Sequence, residues 1–431
     1  MMLELLKQKL NALPCDAWEL TETEKRGWEF YFIRHRLDQN RAVRVKTVGV
    51  KLYKAIEEDG QKFLGSASGE IPPTASAAEI DERLASLLYQ AGLVKNPYYT
   101  LTDKPVDLPE KTDPVDVEAI AEDFLRALRS VPETETEDIN SYEIFVSELK
   151  RHTLNSNGVE YTCTYPSSEV EVVVNARRDG REIELYRNFK SGSCDTEKLR
   201  SDIADALRFG RDRLIAVPTP RLGQGAVVFS TADAVGIYEY FTERMAADLK
   251  VRQMSDFKPG KPVAEDAGGD RITAEALSTL RNSSADFPVD AEGAVIRDRF
   301  LIRDGVAENF WGSRQFSQYM GLEDSSNVYN LRFAGGKGSA ADVRHGDYLE
   351  VVEFSDFQVD AMGGDIAGEI RLGYWHHGGE TTVVTGGSIS GNMRAAARTM
   401  TFSAETAQYD YVVIPAVTRL EGLRITGAAE L

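Results

Sequence analysis

Glu239 and Glu243 stand four residues apart in the stretch GIYEYFTERM, residues 236–245, and a helix sets such a pair on one face. Two carboxylates on one face invite a hard cation such as magnesium or calcium, but such an ion needs more oxygen ligands than two. Asp233 and Asp248 lie on the same segment at spacings that do not converge on the pair, and Arg244 is an immediate neighbour. The residue types therefore read as an acidic face, solvated or lining a pocket. Glu239 has the chemistry of a general base, yet without a metal it has no activated water to work on.

The other reactive residue types are scattered. The five histidines are His35, His152, His345, His376 and His377. The adjacent pair in YWHHGGE belongs to a strand, where neighbours point to opposite faces, so both do not reach one ion. Gly378-Gly379 then reads as the hairpin turn. Cys163 in EYTCTY reads as buried packing. Cys194 precedes a helix whose N-terminus would lower the pKa of a thiol. GGKGSA, residues 335–340, lacks the spacing of a phosphate-binding loop and reads as a mobile loop, and no G-x-S-x-G elbow is present.

These residues must be positioned by recognisable elements. WEFYFIRHRL and RAVRVKTVGVKLYKAI alternate apolar and polar residues as half-buried strands, with Asp59-Gly60 as a hairpin turn. SAAEIDERLASLLYQAG is a helix with a capping box, Ser76 to Glu79, and an apolar stripe at Ile80, Leu84, Leu87 and Leu88. After an acidic, Pro-rich linker, Asp113-Pro114 is expected to open the next helix. About 120 residues on, the same order recurs. Strands SYEIFVSELKRHTL and EVEVVVNARRDGREIELYRNF carry the turn Asp179-Gly180, and the helix DTEKLRSDIADALRFGRDRL follows. From about Pro220 short strands and Gly-rich turns dominate, with one helix expected from about Thr231 to Leu249. The fold class is α+β. Two strand-strand-helix units, residues 1–108 and 109–218, precede a mostly β domain, 219–431.

The net charge of −19 repels phosphate backbones, so nucleic acid is not expected as a direct partner. The chain has 42% hydrophobic and 28% charged residues, and no apolar run is long enough to span a bilayer. Three well-separated cysteines, Cys15, Cys163 and Cys194, suit a reducing compartment, and the expected location is cytoplasmic.

Four stretches, in order, carry a resemblance. LNSNGVEYT, at Leu154 to Thr162, resembles the Asn-Ser-x-Gly signature of the TldD/PmbA family. VDAEGAVIRDRFLIRDGVAENFWGSRQFSQYMG resembles its Asp-x-Glu-Gly segment, GGSISGNMRAAARTMTF its tail motif, and IPAVTRLEGLRITG its closing strands. The resemblance implies a family in which TldD is a zinc metallopeptidase paired with a sister chain, TldE or PmbA, the two forming a groove for short or unfolded peptides. It also implies where zinc would be held. The catalytic branch carries H-E-x-x-x-H on a helix, and a C-terminal cysteine adds a ligand. Here Tyr238 falls on the first histidine, Glu239 on the glutamate and Glu243 on the second histidine, and no cysteine follows Cys194. Zinc prefers imidazole and thiolate at about 2.0–2.3 Å.

The resulting expectation is a chain closest to the TldE/PmbA branch, with a degenerate metal site, no catalytic residues, no cofactor of its own, and zinc only on a TldD-like partner. Tyr238, Glu239, Tyr240, Glu243, Asn155, Ser156, Gly158, Gly335 and Gly336 are the candidates for lining the peptide groove. Two alternatives stand beside it: a stand-alone homodimeric peptide-binding protein, and an enzyme using Glu239 and Glu243 with a hard metal. The looser family pattern across DLKVRQMSDFKPGKPVAEDAGGD favours the stand-alone binder.

Overall fold

The computed structural model describes residues 2–322 and 325–428. Its first half is one repeated unit of helix, three strands and helix. The first copy is α1 (Met2–Ala12), β1 (Ala17–Ile33), β2 (Arg36–Glu58), β3 (Gln61–Glu70) and α2 (Ala77–Ala91). A short strand, β4 (Asn96–Pro97), follows. The second copy is α3 (Val117–Arg129), β5 (Glu137–Asn155), β6 (Glu160–Arg178), β7 (Arg181–Ser191) and α4 (Thr196–Ile215). The two copies share one antiparallel sheet in the order β4-β3-β2-β1-β5-β6-β7, so the first strand of each copy pairs with the other along its length.

Local chemistry explains the repeated elements. In both hairpin turns an Asp and a Gly adopt positive φ, 50° and 74° at Asp59-Gly60 and 50° and 75° at Asp179-Gly180, the pairing that matches strand twist. Ser76 and Glu79 form the expected capping box. The helix expected to open at Asp113-Pro114 instead begins at Val117. Asp116 is its cap, because that carboxylate accepts the Ala119 N–H at 3.0 Å. Leu6 and Leu10 of α1 and Ile80 and Leu84 of α2 bury against Leu20, Val50 and Leu52. The second copy buries Phe124 and Leu128 of α3 and Ile203 and Leu207 of α4 against Ile144, Val172 and Val174.

The remainder is mostly strand, as expected. Its elements are β8 (Val217–Pro218), β9 (Gly223–Phe229), α5 (Val235–Glu243), α6 (Ala247–Val251), β10 (Ala274–Leu277), β11 (Arg299–Arg303) and β12 (Val306–Ala307). There follow α7 (Arg314–Tyr319), β13 (Asn330–Phe333), α8 (Ala340–Val343), β14 (Tyr348–Val359), β15 (Asp365–His377), β16 (Glu380–Thr385) and β17 (Ser388–Asn392). Last come α9 (Met393–Ala396), β18 (Thr401–Phe402), β19 (Thr406–Tyr409), β20 (Val412–Pro415) and β21 (Thr418–Thr426). One sheet runs β12-β11-β10-β13-β20-β19. The other runs β14-β9-β21-β17-β15-β16-β8, and a further pairing of β14 with β15 closes five of its strands into a ring.

The largest core, with Phe229, Ile237, Phe241, Leu349 and Phe402, lies between these two sheets and holds α5. Val352 and Leu372 from the ring complete the core of the second copy, so the halves share apolar packing. No helix among the described residues is long and apolar enough to cross a membrane.

Candidate functional site

The helix expected over about 231–249 is broken. A 3-10 turn, Ala232–Ala234, leads into α5, which stops at Glu243, and α6 starts only at Ala247. Arg244 explains the stop. Its side chain is completely buried, donates to Ala361 O at 2.7 Å and Met362 O at 2.8 Å, and pairs with Asp256, to which Arg394 also donates at 2.8 Å. Its guanidinium also lies over the rings of Tyr240 and Phe257, at 5.3 and 4.9 Å.

The faces of α5 differ from one another. Tyr238 has no exposed surface; its hydroxyl hydrogen-bonds Thr418 Oγ1 at 2.7 Å, and Phe333 and Phe402 flank its ring. Burial pushes its phenol well above the usual range. Tyr240 is also buried. Glu239 is partly covered and accepts from Tyr411 Oη at 3.4 Å, and burial raises its carboxyl. Glu243 is exposed; partial desolvation and then the charges of Glu239, Asp360 and Asp248 raise it. Among the described residues no three His, Cys, Asp or Glu side chains are grouped closely enough to hold a metal ion.

A cavity of about 1020 Å³ opens at the N-terminal end of α5. Its walls come from α4 and β7 on one side and from the 3-10 turn, β14, β15 and the β19–β20 connection on the other. Arg208 of α4 donates to Asp205 at 2.8 Å and to Tyr374 Oη at 3.0 Å, and Tyr374 donates to Asp212 at 2.7 Å. Lys198 binds Asp202 at 2.6 Å and lies 5.0 Å from the Tyr409 ring centre. None of the nine residues expected to line a groove is a wall of this cavity; Glu239 comes nearest, through its bond to Tyr411, which is a wall. Asp233, named from sequence beside the glutamate pair, is a wall, and the cavity residues missed from sequence include Asp202, Glu353, Tyr374 and Tyr409. One signal was present: Lys198, Asp202, Asp205 and Arg208 form a charged stripe beside the apolar stripe of α4.

The histidine and cysteine readings resolve simply. His376 stacks on Tyr348 at 4.3 Å, whereas His377 stacks on Trp375 at 5.0 Å and meets Asp347 at 2.7 Å, so the pair faces opposite ways. Cys163 is buried. Cys194 departs from the expectation of a lowered pKa: burial pushes its thiol up to about 11, outweighing the nearby helix terminus.

Residues 222–427 match the family model of the PmbA/TldA metallopeptidase C-terminal domain. Over these residues the chain carries a domain of the TldD/PmbA family. Three solved structures share the fold over nearly the whole length. TldE from Thermococcus kodakarensis is 15% identical, with a TM-score of 0.77, over 99% of this chain and all of the other. A modulator of DNA gyrase from Thermotoga maritima is 17% identical, with a TM-score of 0.76, over 98% of this chain and all of the other. A second, from Bacteroides thetaiotaomicron, is 15% identical, with a TM-score of 0.75, over 99% of this chain and 98% of the other. No curated protein matches the chain significantly.

Two of the stretches that resemble TldD/PmbA motifs meet at a joint between elements. Asn155, Ser156 and Gly158 form the turn between β5 and β6. Asn155 is buried, accepts the N–H groups of Asn157 and Val159, and donates to Thr102 O at 2.7 Å. Ser156 accepts from Trp18 N, and Gly158 takes a φ of 88°. Gly293 of the Asp-x-Glu-Gly segment packs on this turn, where any Cβ would strike Val159. The segment expected to be a mobile loop is anchored: Gly336 N donates to Ser403 O and Ala404 N to Gly338 O. A Cβ on Gly335 or Gly336 would meet the backbone of Ala404 or Phe402.

The family's zinc does not fit the residues present. Tyr238 is enclosed and committed to Thr418, and Glu239 and Glu243 supply only two carboxylates, with no third His, Cys, Asp or Glu among the described residues grouped with them.

Proposed function

We propose that this chain is a TldE/PmbA-like subunit without catalytic activity of its own, and that it supplies part of a peptide groove to a TldD-like subunit that carries the zinc. The observation that carries this reading is Tyr238. The position of the first zinc-binding histidine is filled by a fully buried phenol locked to Thr418, so the helix serves the core at the point where the catalytic branch would present a ligand. Extended peptides bind open sheet edges by main-chain pairing, and edge strands are present at the cavity.

The test is peptide cleavage by the chain alone, by a TldD-like zinc subunit alone, and by the two mixed. The reading expects no cleavage by the chain alone and a mixed complex, seen by gel filtration, that outperforms the zinc subunit. Zinc-dependent cleavage by the chain alone would contradict it. A second reading is a homodimeric peptide-binding protein that needs no catalytic partner, and the looser family pattern across residues 248–270 favours it. Peptide binding with no association to a zinc subunit would support that reading over the first.

A further inference from the structure

The cavity lies beside two open sheet edges. β7 pairs only with β6 and β19 only with β20 among the described strands, so each leaves one side of its main chain without a strand partner. Arg187 to Ser191 of β7 and Gln408 and Tyr409 of β19 are cavity walls. Such edges take up an extended chain through its backbone and leave selection to side-chain pockets.

The charges of the wall are unbalanced. Seven carboxylates and five basic side chains line the cavity, so acid is in excess. Three of the bases are already paired: Lys198 with Asp202, Arg208 with Asp205 and, at 4.0 Å, Asp212, and Arg344 with Glu350 at 2.7 Å. Lys190 reaches outward to Glu169 at 3.6 Å. Arg187 meets Glu353 Oε1 at 3.4 Å, and it is also the base whose charge acts on Asp233. Asp233 and Glu353 therefore share one cation between two carboxylates.

Their hydrogen bonding is equally incomplete. Glu353 Oε2 is buried with no donor, and Asp233 accepts only from Thr231 Oγ1 at 3.3 Å among the described residues. A buried acceptor without a donor is costly, and a donor brought by a ligand removes that cost. Phe189, Phe354 and Tyr409 add apolar wall suited to an alkyl stem.

We infer that this cavity holds an extended peptide and selects one bearing a lysine or arginine side chain, whose cationic head is seated against Asp233 and Glu353. The inference rests on the peptide-binding reading above and adds the class of side chain. Arg187 offsets only one of the two carboxylate charges, and the incoming cation offsets the excess negative charge.

The test uses the full chain and three short, unstructured, fluorescein-labelled peptides that differ at one central residue: lysine, its uncharged isostere norleucine, or glutamate. Binding is read by fluorescence anisotropy at low and moderate salt, for the wild-type chain and for the near-isosteric variants Asp233→Asn and Glu353→Gln. The expected result is that the lysine peptide binds roughly tenfold or more tighter than the norleucine peptide. The glutamate peptide is the weakest. Each variant should shrink the preference for lysine while leaving norleucine binding and the melting temperature near those of the wild type. Equal binding of all three peptides, or a lysine preference that survives both variants, would overturn the inference and leave the peptide-binding reading intact. No binding of any peptide would overturn both.

Discussion

At the scale of single residues, Tyr238 and Glu239 divide the helix they share. The Tyr238 hydroxyl and Thr418 Oγ1 satisfy each other inside the core, at 2.7 Å. Tyr238→Phe should leave the Thr418 hydroxyl without that partner and cost about 1–3 kcal/mol, read as a lower urea midpoint with an unchanged slope. Glu239→Gln keeps the shape and an acceptor for Tyr411, so its stability should stay close to the wild type. That Tyr238 stands where the family motif carries a histidine was legible from its alignment. Its role in the core was not, because Thr418, Phe333 and Phe402 lie far away in sequence and meet it only when the two C-terminal sheets pack.

At the scale of elements, joints made by glycine differ sharply in what they tolerate. Gly60 lies in an exposed turn with φ of 74° and has open space where a Cβ would go. Gly293 has φ of 77° and Val159 in that space. Gly60→Ala should cost about 1 kcal/mol for the left-handed backbone alone, and Gly293→Ala about 2–4 kcal/mol because overpacking adds to it. Equal melting temperatures for the two variants would refute this account of the joint.

Alternation along the strands, the Asp-Gly turns and the Ser76–Glu79 box made the repeated units readable, because those signals are local. Two helix features were not readable. Asp116 took the capping role expected of Asp113, since only its carboxylate reaches the first turn. The break after Glu243 depends on Arg244 finding Asp256 and two carbonyls on a distant loop. The cavity was hidden for the same reason: α4, the turn before α5, β14 and β19 each contribute only a few residues to it.

At the scale of the whole molecule, half-buried carboxylates of the first strand and the C-terminal half act on one another through their charge. Glu19 of β1 accepts from Tyr53 Oη at 2.7 Å, and Glu292 accepts from Arg314 N at 2.8 Å. Burial, then the charges of Glu19 and Asp290, push Glu292 up to about 7, against the opposing hydrogen bond from the Arg314 N–H and the smaller effect of Lys51. The unfolded chain gives up this proton near the ordinary carboxylate value, so between that pH and about 7 the folded state binds more protons. Glu292 therefore stabilises the fold fully below its unfolded pKa, and that contribution is lost as pH rises through about 7, a fall of up to about 3 kcal/mol. Chemical denaturation from pH 4.5 to 8 should show a shallower fall for Glu292→Gln than for the wild type; identical slopes would contradict the assignment.

The fold of nearly the whole chain matches that of TldE, while the helix that the resemblance aligns with the zinc motif carries a locked phenol and is followed by a buried guanidinium. The most direct measurement is the metal content of the purified chain by inductively coupled plasma mass spectrometry, after gel filtration and with no metal added. The account predicts less than about a tenth of an equivalent of zinc, because the residues at the ligand positions offer neither imidazole nor thiolate. Close to one equivalent of zinc, retained by the wild type and lost on replacing Glu239 and Glu243, would contradict it.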